Sequence, residues 1–183
     1  MFKFLFVIII AMFYFDCNSS KNSGSNNSVK NVANSNTQNR PIPKDLLITL
    51  ERTECYGLCP VYKVSIKADG AVTFEGIKNT ETKGVAEGKI SETQIREILK
   101  EFENADYENL KDKYDFETCP LAATDNSTVV TSIQIDGEKK TVSHYLGCAE
   151  DNEQHTPFPP KLRELKNKID GIAGTKRWIG DGK

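Results

Sequence analysis

Histidine is nearly absent from this sequence. The 183 residues hold only His144 and His155, so no His-x-x-x-His pair exists to seat a catalytic zinc ion. A glycine-rich phosphate loop and a G-x-S-x-G nucleophile elbow are missing as well. These gaps remove the common signatures of metallohydrolases, nucleotide enzymes and serine hydrolases, and they rank an enzyme behind a binding protein. No cofactor is implied. Nor is there an apolar run of the ~20 residues that cross a bilayer as a helix; the longest, Phe4 to Phe15, has 12. A basic stripe is lacking too. Residues 41–183 carry 20 basic and 25 acidic side chains, a charge of about −5, which argues against nucleic acid as a partner. No internal repeat is visible.

What the chain does have begins with an address. Met1-Phe2-Lys3, the apolar block and the polar break at Asp16-Cys17 follow the layout of a secretory signal over residues 1–16. A cysteine directly behind such a block resembles the lipobox of bacterial lipoproteins, in which the thiol takes a diacylglycerol and becomes the mature N-terminus. That resemblance makes Cys17 the expected lipidation site, although Phe15-Asp16 stands where small residues are usual. A cleaved signal, or an uncleaved anchor with an incidental cysteine, is the alternative. From Asn18 to Arg40, 14 of 23 residues are Asn or Ser and none is acidic. Such a composition buries too little apolar surface to offset chain entropy. Residues 17–40 therefore read as a disordered tether, spanning about 25 Å as a flexible coil, that joins a bacterial membrane to one folded domain over residues 41–183. The domain is expected to face the periplasm or the cell exterior.

Within the domain, period-2 alternation predicts strands over Leu46–Thr53, Val61–Lys67 and Ala71–Phe74, a weaker one over Lys83–Ile90, then Thr128–Ile135 and Lys139–Tyr145. Asp69-Gly70 and Asp136-Gly137 are hairpin turns. Ser91 and Gln94 form a capping box ahead of Ile95, Ile98, Leu99 and Phe102, which predicts a helix over about 92–104. Leu162, Leu165, Ile169 and Ile172 mark a last helix, with Lys161, Arg163, Lys166 and Lys168 as its solvated side. The acidic stretch holding Asp106, Glu108, Asp112 and Asp115 reads as a solvated loop. The order β-β-β-β-α-β-β-α defines an α+β domain: a mainly antiparallel sheet of hairpins with two helices on one face.

Leaving Cys17 aside, Cys55, Cys59, Cys119 and Cys148 remain. In an exported domain they read as two disulfides with three possible connectivities. Cys55 and Cys59 flank a three-residue tip between the first two strands. Centring the second hairpin at Asp136-Gly137 pairs 131 with 142 and 128 with 145, and extends to 125 opposite 148, with Cys119 reaching the same end if its loop folds back. This favours 55–59 and 119–148, with cross-pairing between hairpins left open. A ring as small as 55–59 adds little stability, so shaping a turn, or chemistry, explains it better. The chemical option is thiol redox, or a copper(I) site of Cys55, Cys59 and His144. Against it, the spacing is not Cys-x-x-Cys and no helix N-terminus is expected there to lower a thiol pKa. His144 shares a strand face with Val142 and reads first as a packed residue, while His155 reads as solvated. Arg52 follows Ile48 and Leu50 onto the apolar face, where its guanidinium needs a partner; Asp125 is the candidate. Arg52, Tyr56, Gly57, Leu58, Pro60 and Tyr62 make up the candidate binding surface.

Leu50-Glu51-Arg52-Thr53, Cys55-Tyr56-Gly57, Cys59-Pro60, Tyr62, Ile66 and Asp69-Gly70, with Phe74-Glu75-Gly76, resemble a bacterial domain family of unknown function found in exported proteins and lipoproteins. The resemblance covers about 45–172 and implies no activity, substrate or cofactor. The expectation is a non-enzymatic, lipid-anchored envelope module that binds an envelope protein or ligand. The alternative is a periplasmic thiol-redox or copper(I)-handling protein that uses Cys55 and Cys59.

Overall fold

The computed structural model describes residues 41–150 and 155–181. The signal, Cys17 and the tether lie outside the described residues. None of the described helices is long and apolar enough to cross a membrane. In chain order the elements are β1 (Leu47–Arg52), β2 (Val61–Lys67), β3 (Ala71–Lys78), β4 (Gly84–Lys89), α1 (Glu92–Asn104), β5 (Lys113–Tyr114), β6 (Leu121–Ala122), β7 (Thr128–Ile135), β8 (Glu138–Tyr145), β9 (Cys148–Ala149), α2 (Leu162–Ala173) and α3 (Lys176–Ile179). Seven strands form one sheet in the order β4-β3-β2-β1-β7-β8-β5, and β6 pairs with β9 apart from it. All pairings are antiparallel except that of β5 with β8. The domain is α+β, as the alternation of hairpins and helices predicts.

Alternation decides which face is covered. Ile48, Leu50, Val64, Ile66, Phe74, Val129 and Val142 point to one side and are almost fully buried, where α1 and α2 bring Ile95, Ile98 and Phe102, and Leu162, Leu165 and Ile169. The other face carries a row of hydroxyls in register, Thr73, Ser65, Thr49, Ser132 and Thr141; Thr49 and Ser132 lie 2.6 Å apart. α1 starts on its capping box, with the Gln94 amide donating to Ser91 Oγ and the Ser91 amide donating to Gln94 Oε1. In the β7–β8 hairpin Asp136 and Gly137 both adopt left-handed φ (52° and 84°), the turn that matches strand twist. Thr131 then faces Val142 and Thr128 faces Tyr145.

Three expectations change. β3 continues to Lys78 because Glu75 and Gly76 still pair with β2 and β4 on either side, across an irregularity at Val61/Tyr62. The acidic connection is more than a solvated loop. Tyr107, in a 3-10 turn (Tyr107–Asn109), and Tyr114, in β5, are buried, and Tyr107 OH donates to the Thr131 carbonyl at 2.6 Å. The aromatics hold that stretch down while Asp106, Glu108 and Asp112 stay outside. The β7–β8 ladder also stops at Thr128, since Asp125 turns left-handed (φ 70°); Ala122, not 125, stands opposite Cys148.

Cys55 is bonded to Cys59 and Cys119 to Cys148, with Cα separations of 5.7 and 5.5 Å. The 119–148 bond spans 29 residues and ends on Cys148, 1% exposed within the core, whereas the 55–59 bond spans four. Chain entropy then ranks them. Replacing Cys119 and Cys148 together by Ala is expected to lower the unfolding free energy by ~3–4 kcal/mol, and replacing Cys55 and Cys59 by ~2 kcal/mol at most. Urea denaturation of the two double variants measures both, and equal losses would contradict the ranking.

Candidate functional site

Tyr62 on β2, Arg52 on β1, Val129 on β7 and His144 on β8 stand opposite one another in register, so all four side chains project to the helix-covered face. On α2, Lys166 and Asp170 lie one turn apart and meet the two polar ends of this row. Asp170 is fully engaged. Its Oδ2 accepts from Arg52 Nη2 at 2.6 Å and Nε at 3.0 Å, and its Oδ1 from Tyr62 OH at 2.7 Å and Thr175 Oγ1 at 3.1 Å. Arg52 Nε also donates to Tyr62 OH at 2.9 Å. Burial, reinforced by the Asp170 charge, pushes the Tyr62 pKa far above its ordinary value, which keeps the hydroxyl a donor. Tyr62 further packs on Phe74, and Phe74 stacks on Trp178 of α3, with ring centroids 5.3 and 5.0 Å apart.

At the other end Lys166, 1% exposed, contacts His144 Nδ1 through its amine. Lys166 was expected on the solvated side of α2, and the structure corrects that: four residues after Leu162 it lies within the stripe that faces the sheet. Burial, then the positive charges of Arg52 and Arg163, lower its pKa to about 6, with Asp170 opposing. Burial and the neighbouring Lys166 lower that of His144 to about 3. Both groups are thus neutral near pH 7; the Phe158 backbone opposes the lowering at His144, whose Nε2 makes no hydrogen bond of normal geometry among the described residues.

The expected partner of Arg52, Asp125, is replaced by Asp170. Asp125 instead offers its backbone carbonyl to the Tyr56 amide at 3.3 Å. Sequence reasoning missed Asp170, although a signal was present: a carboxylate in the last turn of a helix faces the negative end of the helix dipole and is justified there only by a cationic partner. The candidate surface also divides. Arg52 and Tyr62 turn inward to Asp170, while Tyr56, Gly57 and Leu58 face solvent, and Pro60 is half-buried between them. Tyr56 is 88% and Leu58 73% exposed. Gly57 supplies the φ of 141° that closes the tip. The stem is held from both sides: the Thr53 amide donates to the Thr128 carbonyl, Asn79 Nδ2 to the Cys59 carbonyl, and Lys78 pairs with Glu54. Beside the tip opens a cleft of about 470 Å³ lined by Leu58, Asn79, Thr80, Glu81, Ile179 and Gly180, among others. The copper set is not assembled. Cys55 and Cys59 bond each other while His144 is engaged by Lys166 under α2, and no group of three or more His, Cys, Asp or Glu among the described residues is placed to hold a metal ion. His155 is exposed.

The family described as a domain of unknown function, DUF6438, matches residues 46–173. The chain belongs to the DUF6438 family. No curated protein matches it. The DUF6438 match opens at the head of β1 and closes on the last residue of α2, so it contains the tip, Arg52, Tyr62, Lys166 and Asp170. Thr175, α3 and one wall of the cleft lie beyond it.

Two outcomes follow from the DUF6438 interior. Asp170→Asn should cost ~2–3 kcal/mol of stability, because it leaves Arg52 without its counter-charge at sites only 19% and 16% exposed. A double variant Arg52→Met, Asp170→Leu should lose less than the two single changes added together. Chemical denaturation of the four proteins decides this, and strict additivity would mean the pair is not coupled. For Lys166 the folded pKa lies below the unfolded one, so between about pH 6 and 10.5 the unfolded chain binds a proton that the folded chain does not. Stability should therefore rise with pH across that window. Lys166→Met should flatten the rise between pH 6.5 and 9.5 and stabilise the protein at pH 7; an unchanged slope would reject a neutral buried amine.

Proposed function

We propose that this DUF6438 protein is an exported, lipid-anchored binding module of the bacterial cell envelope, non-enzymatic, with the tip Tyr56-Gly57-Leu58 and its adjoining cleft as the contact surface. One observation carries the reading. Two large apolar side chains stand in solvent on a loop that is closed by a disulfide and braced on both flanks. Exposed apolar groups held rigid lose little entropy on binding, and such groups are what an interface core is made of. Two disulfides agree with an oxidising compartment. The lipid anchor rests on the Cys17 context alone.

A photo-crosslinking residue in place of Tyr56 should yield a discrete adduct in intact cells that Leu58→Ser abolishes, whereas the same residue at Glu75, on the open face of the sheet, should not. Equal labelling from both positions, or none from position 56, refutes the tip. Cys17→Ser should release the protein from membranes; unchanged retention would reject lipidation.

A second reading, thiol redox or copper(I) handling through Cys55 and Cys59, draws on the partial exposure of both residues. Mild reduction followed by alkylation and intact-mass measurement tests it. Selective opening of 55–59, with copper(I) uptake lost in Cys55→Ser, would favour it over the binding module.

A further inference from the structure

We infer that the domain carries a second binding site, separate from the tip, which takes a short apolar peptide segment flanked by lysine or arginine. The site is a groove of about 250 Å³ between α1, the end of β7 and the strap Pro41–Pro43. Its floor is apolar: Leu99 and Phe102 from α1, Ile133 and Ile135 from β7, and Ile42 from the strap. Its rim is acidic. Glu103, Asp106, Glu108 and Asp136 line it against one guanidinium, that of Arg96, which is ion-paired with Glu92.

Size and charge select the occupant. A cavity of about 150 Å³ accepts benzene, and drug-sized ligands need about 300 Å³ or more. A groove between these limits takes one or two apolar side chains, not a large cofactor. Lysine or arginine beside those side chains can lay its aliphatic stem along the apolar floor and bring its cationic head to the carboxylates. The chain's own upstream segment fits poorly. Its Lys21, Lys30 and Arg40 would suit the rim, but between Asn18 and Arg40 its apolar side chains are only Val29, Val32 and Ala33, too small to fill the floor. A second copy of a domain carrying about −5 would bring acid to an acidic rim.

The test is a titration of the isotope-labelled protein, followed by amide NMR, with three capped tetrapeptides: Lys-Leu-Phe-Lys, Glu-Leu-Phe-Glu and Lys-Ser-Ser-Lys. Only the first should shift the amides of α1 and of residues 133–136. Glu108→Gln combined with Asp136→Asn removes two rim charges, touches no core residue and puts asparagine, which tolerates a left-handed φ, at position 136; it should weaken that binding about five- to tenfold. Tyr56→Ser with Leu58→Ser should leave it unchanged, so failure of this site and failure of the tip are read separately. Equal binding of the glutamate peptide, or no shift with any peptide up to millimolar concentration, overturns the inference. Binding that emerges only after deletion of residues 18–40 overturns it too, because the groove would then belong to the chain's own segment.

Discussion

The carboxylate of Asp170 is the constraint on which the tip end of the sheet depends. It accepts from two central strands at once, from Arg52 at the end of β1 and from Tyr62 near the start of β2. Those two residues stand three before Cys55 and three after Cys59. Both legs of the disulfide tip thus end on one helix side chain, and the direction in which Tyr56 and Leu58 are presented is tied to the seat of α2 on the sheet. Thr175 adds the segment that leads into α3 to the same carboxylate. Through Phe74 and Trp178 the contact passes to α3, whose end is bonded to the loop after β3 by the Glu81 and Thr82 amides. The cleft beside the tip therefore inherits its shape from a polar cluster buried behind it.

Buried charge and surface chemistry are kept apart. The interior uses one satisfied ion pair and one neutral amine against a neutral imidazole, both under α2 and neither lining a described cleft. Such groups position elements: Lys166 and His144 are almost fully enclosed, and the Asp170 carboxylate is already taken up by Arg52, Tyr62 and Thr175. Tyr56 and Leu58, by contrast, are exposed where the backbone is cross-linked. The two disulfides follow the same division. The long 119–148 loop anchors an irregular segment to the core through Cys148, and the short 55–59 ring mainly shapes a turn.

Legibility in the sequence tracked the range of the forces involved. The capping box of α1, the Asp136-Gly137 turn and the alternation of β1, β2 and β7 are local, and the chain folds there as its pattern implies. That Arg52 needed a buried partner was also readable, because alternation put it on the apolar face. Which carboxylate would meet it was not, since Asp170 lies 118 residues away. Lys166 misled for a related reason: a charged residue at the margin of a helical stripe looks solvated until the width of the sheet beneath it is known. Tyr107 and Tyr114 were hidden among acids that dominate the local composition.

By itself, the sequence determined the α+β class, the two longer helices, the pairing of β7 with β8 about Asp136-Gly137 and the acidic balance of residues 41–183, because propensity, periodicity and turn chemistry act over a few residues. It also marked ECYGLCPVY, residues 54–62, as the point of interest. Only the tertiary structure decided that this stretch splits into an outward pair, Tyr56 and Leu58, and an inward Tyr62 joined with Arg52 on Asp170. That outcome needs β1 and β2 side by side with α2 laid across them, an arrangement set by burying one continuous apolar face rather than by any single segment.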